Sequence, residues 1–114
     1  MSYQTLLFDL DDTLYSSSTG IWDRIGDRIN LYIQEKIGYS PEDVSTLRDH
    51  LFHKYGTTLR GLQIEYGVEA VDYLDFVHQV PIENMIGPDP QLNLLLNNIH
   101  QSKWIFTNAS RDHA

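Results

Sequence analysis

The chain of 114 residues contains no cysteine. That excludes disulfides, a thiolate nucleophile and any cysteine-based zinc site. Positive charge is scarce. Eight Lys and Arg stand against sixteen Asp and Glu, giving a formal net charge of −8 and a pI of about 4.8. The few cations are scattered, with no basic block. Phosphate backbones and anionic surfaces select clustered Lys and Arg, so neither nucleic acid nor a membrane is an expected partner. Long apolar runs are also missing: no stretch approaches the roughly 18–20 residues of a membrane span. The N-terminus shows no basic region followed by an apolar segment and a small-residue cleavage site. With the lack of cysteine, this makes the cytoplasm the expected location. No internal repeat or low-complexity segment is evident.

What is present is a chain 41% hydrophobic, enough for the core of one modest domain. Residues 4–9 read as a strand. Thr5-Leu6-Leu7-Phe8 is nearly continuous apolar, as expected for a strand covered on both faces. The small-residue linker 16–20 offers helix-cap chemistry at Ser18 or Thr19. A helix is predicted over 21–37, with Trp22, Ile25, Ile29, Tyr32, Ile33 and Lys36 or Ile37 on one stripe and Gly38 as its stop. Ser40 is the expected N-cap of a second helix and Pro41 its first residue. The stripe of that helix is Val44, Leu47, Leu51, Phe52 and Tyr55, and Gly56 closes it. A third helix is predicted over 58–66, and a fourth over 69–78 with Val71, Leu74 and Val77 inward. Val80-Pro81 and Gly87-Pro88-Asp89-Pro90 read as turns. A fifth helix over 91–101 turns Leu92, Leu95, Leu96 and Ile99 inward. It leads to a second strand over 103–107, with Trp104-Ile105-Phe106 as its buried run. Residues 108–114 read as a turn entering another helix.

The expected class is α/β. Two parallel strands form the N-terminal part of a Rossmann-like core, residues 1–15 and 87–114, and a four-helix cap, residues 16–86, is inserted between them.

Chemistry concentrates at Phe8-Asp9-Leu10-Asp11-Asp12-Thr13-Leu14. Two acids two residues apart follow an apolar strand, at the sheet edge where open α/β proteins bind ligands. Such a pair suits a divalent metal and phosphoryl chemistry. The second strand ends in Thr107-Asn108. This combination resembles the haloacid dehalogenase superfamily of phosphohydrolases, whose first motif is Asp-x-Asp-x-Thr after a strand and whose second is a strand ending in Thr or Ser. The stretches Gly56-Thr57-Thr58-Leu59-Arg60-Gly61-Leu62, Pro88-Asp89-Pro90-Gln91-Leu92 and Phe106-Thr107-Asn108-Ala109, with His113-Ala114 after them, look like its pyrimidine 5′-nucleotidase branch.

The resemblance implies Asp9 as nucleophile, forming an aspartyl-phosphate, and Asp11 as acid and base. It implies Mg2+ held by the Asp9 carboxylate and the Asp11 backbone carbonyl. Thr107 and Asn108 would bind phosphate oxygens. The implied substrate is a small phosphorylated metabolite, possibly a nucleoside monophosphate. Arg60 is a candidate substrate contact, with a solvated helix residue as the alternative. Asp12, at the motif's variable position, reads as a turn or capping residue. His50 and His53 have a metal-compatible spacing but no evident third ligand, so surface histidines are the simpler reading. Trp22, Trp104 and the tyrosines read as core or cap-interface residues. His113 matches the family stretch without a role.

The family also needs a later Lys or Arg and a further acidic loop, which cannot be assigned in this sequence. Lys103 lies upstream of its strand end and cannot simply serve as that cation. The chain is therefore expected to be an N-terminal fragment, inactive alone, with exposed sheet edges open to self-association. The competing readings are a phosphomutase on the same scaffold and a non-catalytic helical interaction module.

Overall fold

A computed structural model describes residues 3–114, so residues 1 and 2 of the expected core segment lie outside the described residues. The chain opens with β1 (Thr5–Phe8) and closes with β2 (Ser102–Ile105). The two pair in parallel, with Thr5 opposite Ser102 and Phe8 opposite Ile105. The ladder continues past both ends. Ser102 N donates to Gln4 O at 3.0 Å and Phe106 N to Phe8 O at 2.8 Å. Parallel pairing requires a long crossover, and here helices supply it. They are α1 (Ile21–Tyr32), a π-helix over Ile33–Ile37, α2 (Pro41–Tyr55), α3 (Thr58–Tyr66), α4 (Ala70–Val77), α5 (Ile82–Met85) and α6 (Pro90–Asn97). The class is α/β.

Contacts divide the chain into two compact units: Met1–Trp22 with Pro81–Ala114, and Asp23–Val80. The second unit has the better-defined core. Ile25, Tyr32, Ile33, Val44, Leu47, Leu51, Leu62, Tyr73 and Val77 are all buried there. The Tyr32 ring meets Tyr73 edge-on at 5.2 Å and Phe76 at 5.3 Å. Arg28 lies 4.1 Å over the Phe76 ring and donates through Nε to Phe76 O at 3.1 Å, tying α1 to α4. Arg48 of α2 donates to Asn30 Oδ1 of α1 at 2.8 Å. At Gly61 the helices α2 and α3 approach closely. A Cβ there would lie 2.6 Å from Leu51 Cδ2 and 2.7 Å from Leu51 Cβ.

Helix ends follow the expected chemistry with two changes, the first being that Ser18 and Thr19 do not cap α1 but lie in a short 3-10 turn, Ser17–Thr19, capped by Ser16. Gly38 and Gly67 take left-handed conformations at φ 93° and 67°, where a Cβ is costly. Thr57 Oγ1 accepts from Arg60 N at 3.1 Å. Ser40 stands at the N-cap of α2, but its hydroxyl turns to Asp43 Oδ2 at 2.9 Å and makes no bond to the helix backbone.

Several expectations are corrected. The strands are not covered on both faces. β1 alternates between exposed and half-buried residues, with Leu7 66% exposed, and all of β2 is exposed. The expected buried run Trp104-Ile105-Phe106 is therefore open, with Trp104 64% and Phe106 72% exposed. Apolar composition records what a strand can be packed against, and the described residues provide no full cover. Trp22 is likewise exposed, because the buried phase of α1 begins one residue earlier at Ile21. In α2, Phe52 is exposed although Val44, Leu47 and Leu51 are buried. In α4 the inward residues are Tyr73 and Val77, and Val71 faces out. The large ring of Tyr73 against Tyr32 outweighs a valine in buried area.

The segment expected as the last turns of the first helix is π-helical, with Gly38 N donating to Ile33 O at 3.0 Å. That widening has no 3.6-residue signature. The short helix α5 lies between the two expected turns, in residues to which the sequence pattern assigns no element. α6 stops at Asn97, before the expected residue 101, and leaves Leu94 and Leu95 exposed. Residues 108–114 make turns without entering a helix, closed by Ala114 N to Ser110 O at 3.1 Å.

Candidate active site

The site is built at the end of β1. Phe8 is the last paired residue, opposite Ile105, so Asp9 and Phe106 leave the ladder at the same edge. Asp9 is exposed. Leu10 is buried and anchors the turn, its carbonyl accepting from Thr13 N at 3.2 Å and Leu14 N at 3.0 Å. This compact turn brings Thr13 back to the first acid, where Thr13 Oγ1 donates to Asp9 Oδ2 at 3.1 Å. The motif's threonine thus orients the Asp9 carboxylate.

Asp12 adopts φ 59° and accepts from Ser17 N through Oδ1 at 2.8 Å. Its side chain closes the turn on the linker. Asp is among the few residues tolerant of this left-handed region.

Asp11 has different surroundings. It is half-buried, and its Oδ1 receives two groups. One is the Tyr15 hydroxyl, four residues on, which donates a hydrogen bond. The other is His113 Nε2 at 3.0 Å, from the far end of the chain. The His113 side chain is only 3% exposed, and His113 N is held by Ser110 Oγ at 3.2 Å. A carboxylate only accepts, so opposite ionised Asp11 the Nε2 position carries the hydrogen. The Tyr15 hydroxyl is pushed well above the usual phenol range, first by burial, then by its hydrogen bond to Asp11 and by the charges of Asp11 and Asp12. Tyr15 therefore stays a donor over the working pH range.

On the neighbouring strand end, Thr107 Oγ1 accepts from Ala109 N at 3.1 Å. An oxygen used in this way leaves its own hydrogen to donate elsewhere. Asn108 is exposed beside it. Asp9, Asp11, Thr107 and Asn108 thus belong to one unit, at one end of one parallel pair. Arg60 lies in the helical unit, exposed in the first turn of α3. Lys103 sits within β2, its ammonium donating to Gln101 O at 3.2 Å.

A concavity of about 320 Å³ adjoins the motif, lined by Asp12 to Ser16, Asp89 and Leu92. Neither Asp9 nor Asp11 lines it.

Magnesium takes oxygen ligands and keeps several waters, needing only one or two carboxylates from protein. The exposed Asp9 carboxylate fits that donor set. Among the described residues no group of three or more His, Asp or Glu is placed to hold a metal. His50 and His53 do not converge. His50 Nε2 meets Glu65 Oε2 at 3.1 Å, and His53 Nδ1 donates to Asp49 O at 2.7 Å.

The sequence pattern does not single out two residues of the site. Tyr15 looks like the core tyrosines, yet its hydroxyl bonds Asp11. His113 has no role in the sequence pattern, yet it reaches Asp11 Oδ1. The spacing of Tyr15 from Asp11 is a usable local signal. The 102-residue separation of His113 from Asp11 is not.

The fold and site together define an α/β chain whose acidic motif and Thr-Asn turn share one sheet edge. In comparisons with known proteins, the chain is 26% identical over 120 residues to Phosphate metabolism protein 8 of Saccharomyces cerevisiae, covering 97% of this chain. It is a distant relative of that protein and spans 37% of its length. No protein-family model matches the chain. Among the described residues no helix is long and apolar enough to cross a membrane.

Proposed function

We propose that this chain carries the nucleophile and the acid/base of a magnesium-dependent phosphomonoester hydrolase of the haloacid dehalogenase type, with a nucleotidase-like substrate. The observation that carries this reading is the shared end of the parallel pair. Asp9 and Asp11 leave β1 where Thr107 and Asn108 follow β2. The distant relative's name, which places it in phosphate metabolism, supports the same direction.

Phosphate monoesters hydrolyse extremely slowly without catalysis, so a covalent route that divides the barrier is valuable. Asp9, exposed and oriented by Thr13, attacks phosphorus in line with the leaving oxygen. The P–O bond to the leaving group breaks as Asp11 gives that oxygen a proton. Asp11 then takes a proton from water as the water attacks the aspartyl-phosphate, releasing phosphate and regenerating Asp9. The Thr107 hydroxyl and the Asn108 amide donate to the phosphoryl oxygens. The Asp9 carboxylate and the Asp11 carbonyl would hold Mg2+, which would supply charge neutralisation for the phosphoryl group. Arg60 is the cap residue proposed to contact the substrate.

The test is turnover of nucleoside 5′-monophosphates by the full-length protein carrying this sequence, with and without Mg2+. Activity should require the metal and fall at least about a thousandfold in Asp9→Asn, as for removal of a nucleophile. Metal-independent hydrolysis, or full activity in Asp9→Asn, would sink the proposal. Release of free phosphate also separates hydrolysis from transfer to a sugar acceptor.

A further inference from the structure

The Asp11 carboxyl is held asymmetrically. Every hydrogen bond it makes among the described residues falls on Oδ1. The Tyr15 hydroxyl reaches that oxygen from four residues away and His113 Nε2 from the turn after β2. We propose that Tyr15 and His113 are positioning residues that fix the Asp11 carboxyl, reserving Oδ2 as the oxygen that exchanges the proton with substrate and water. The proposal rests on the reading of Asp11 as acid/base and goes beyond it by naming the working oxygen and the two groups that select it.

The physical case is one of hydrogen-bond capacity. A carboxylate oxygen has two lone-pair sites, and two donors fill those on Oδ1. A proton arriving on the carboxyl is then directed to Oδ2, because protonating Oδ1 would turn a donor away. The same two bonds restrict rotation about the Asp11 side chain. Without them the carboxyl could present either oxygen, and a proton-transfer geometry depends on heavy-atom distances within hydrogen-bond reach. The clamp also has a structural reason to be stiff. The His113 side chain is 3% exposed, and its backbone N–H is tied to Ser110 Oγ at 3.2 Å. In the reaction, Oδ2–H passes its proton to the leaving oxygen as the P–O bond breaks and Asp9 bonds to phosphorus. Oδ2 then receives a proton from the attacking water, so the carboxyl returns to its starting state.

Two measurements test this. In the 114-residue chain, long-range 1H–15N spectra should show His113 with its hydrogen on Nε2, and that signal should move when Asp11 is changed to Ala. An Nε2 signal indifferent to Asp11→Ala overturns the clamp without any appeal to activity. In the full-length protein, Tyr15→Phe and His113→Leu should lower kcat/KM for an alkyl phosphomonoester at least about tenfold more than for p-nitrophenyl phosphate. The nitrophenolate leaves without a proton, and kcat/KM reports the step in which the leaving group departs. Gln at position 113 can place an N–H near the Nε2 position, so His113→Gln should restore most of the loss. Equal losses on both substrates, or no loss, overturn the positioning role. If Asp9→Asn also retains activity, the hydrolase reading itself has failed. If Asp9→Asn is dead and the leaving-group difference is absent, only the clamp has failed.

Discussion

Asp12 shows how one motif residue can be structural among chemical neighbours. Its φ of 59° and its bond to Ser17 N close the turn that carries Asp9 and Asp11. Asn shares both the tolerance of left-handed backbone and a side-chain acceptor, whereas valine has neither. Asp12→Asn should therefore leave the thermal midpoint nearly unchanged, and Asp12→Val should cost about 1–3 kcal/mol. Equal stability of the two variants would show that this turn does not depend on residue 12. The residue scale was partly legible in sequence. Acids after an apolar run are often only turns or N-caps; Asp9 and Asp11 stand out because a second apolar strand ends in Thr107-Asn108. Tyr15 does not, because an aromatic four residues downstream looks like any other core residue until its hydroxyl is placed.

At the scale of elements, the α2–α3 contact depends on Gly61. A methyl at that position meets the Leu51 Cβ, which moves only with the α2 backbone. The intrinsic helix preference for Ala over Gly, worth about 1 kcal/mol, acts in the opposite direction. Overpacking of this kind costs typically about 1–3 kcal/mol, so Gly61→Ala is expected to lower the urea midpoint despite the better helix former. A raised midpoint would mean that α3 shifts freely. The helices themselves were largely readable from spacing and caps: α3 matches its expected limits of 58–66 and α2 begins at Pro41 as expected. Spacing failed where a side chain's size decided the phase, as at Tyr73, and where hydrogen bonding widened the helix, as at Ile33–Ile37.

At the scale of the molecule, two properties can be measured directly. Burial of Tyr73 is the main force pushing its hydroxyl from the usual 10 up to about 12, aided by Tyr32 and opposed by Arg48. An unfolded Tyr73 ionises near pH 10, so its contribution to stability is complete below that pH and is lost as pH rises through about 12. A two-unit difference corresponds to roughly 2–3 kcal/mol. Urea midpoints should hold steady to about pH 9 and fall between 10 and 12, with a smaller fall in Tyr73→Phe. A flat profile to pH 12 would contradict this. The second property is association. Trp104, Phe106 and Leu7 form exposed apolar surface along the two-stranded pair, and unpaired strand edges invite further pairing. Sedimentation of the 114-residue chain should show concentration-dependent association that Trp104→Lys weakens. A monomer at all concentrations would count against that surface as sticky.

The α/β class and most helices are legible in sequence, because periodicity, caps and turn residues act over a few residues, and the parallel direction follows from the helical crossover between the strands. Which apolar residues are covered is decided only in three dimensions, since burial depends on what lies across the space from a side chain. The same holds for the bond from His113 to Asp11. No local pattern encodes it, and only the parallel pairing of β1 with β2 brings the two ends of the chain to one edge.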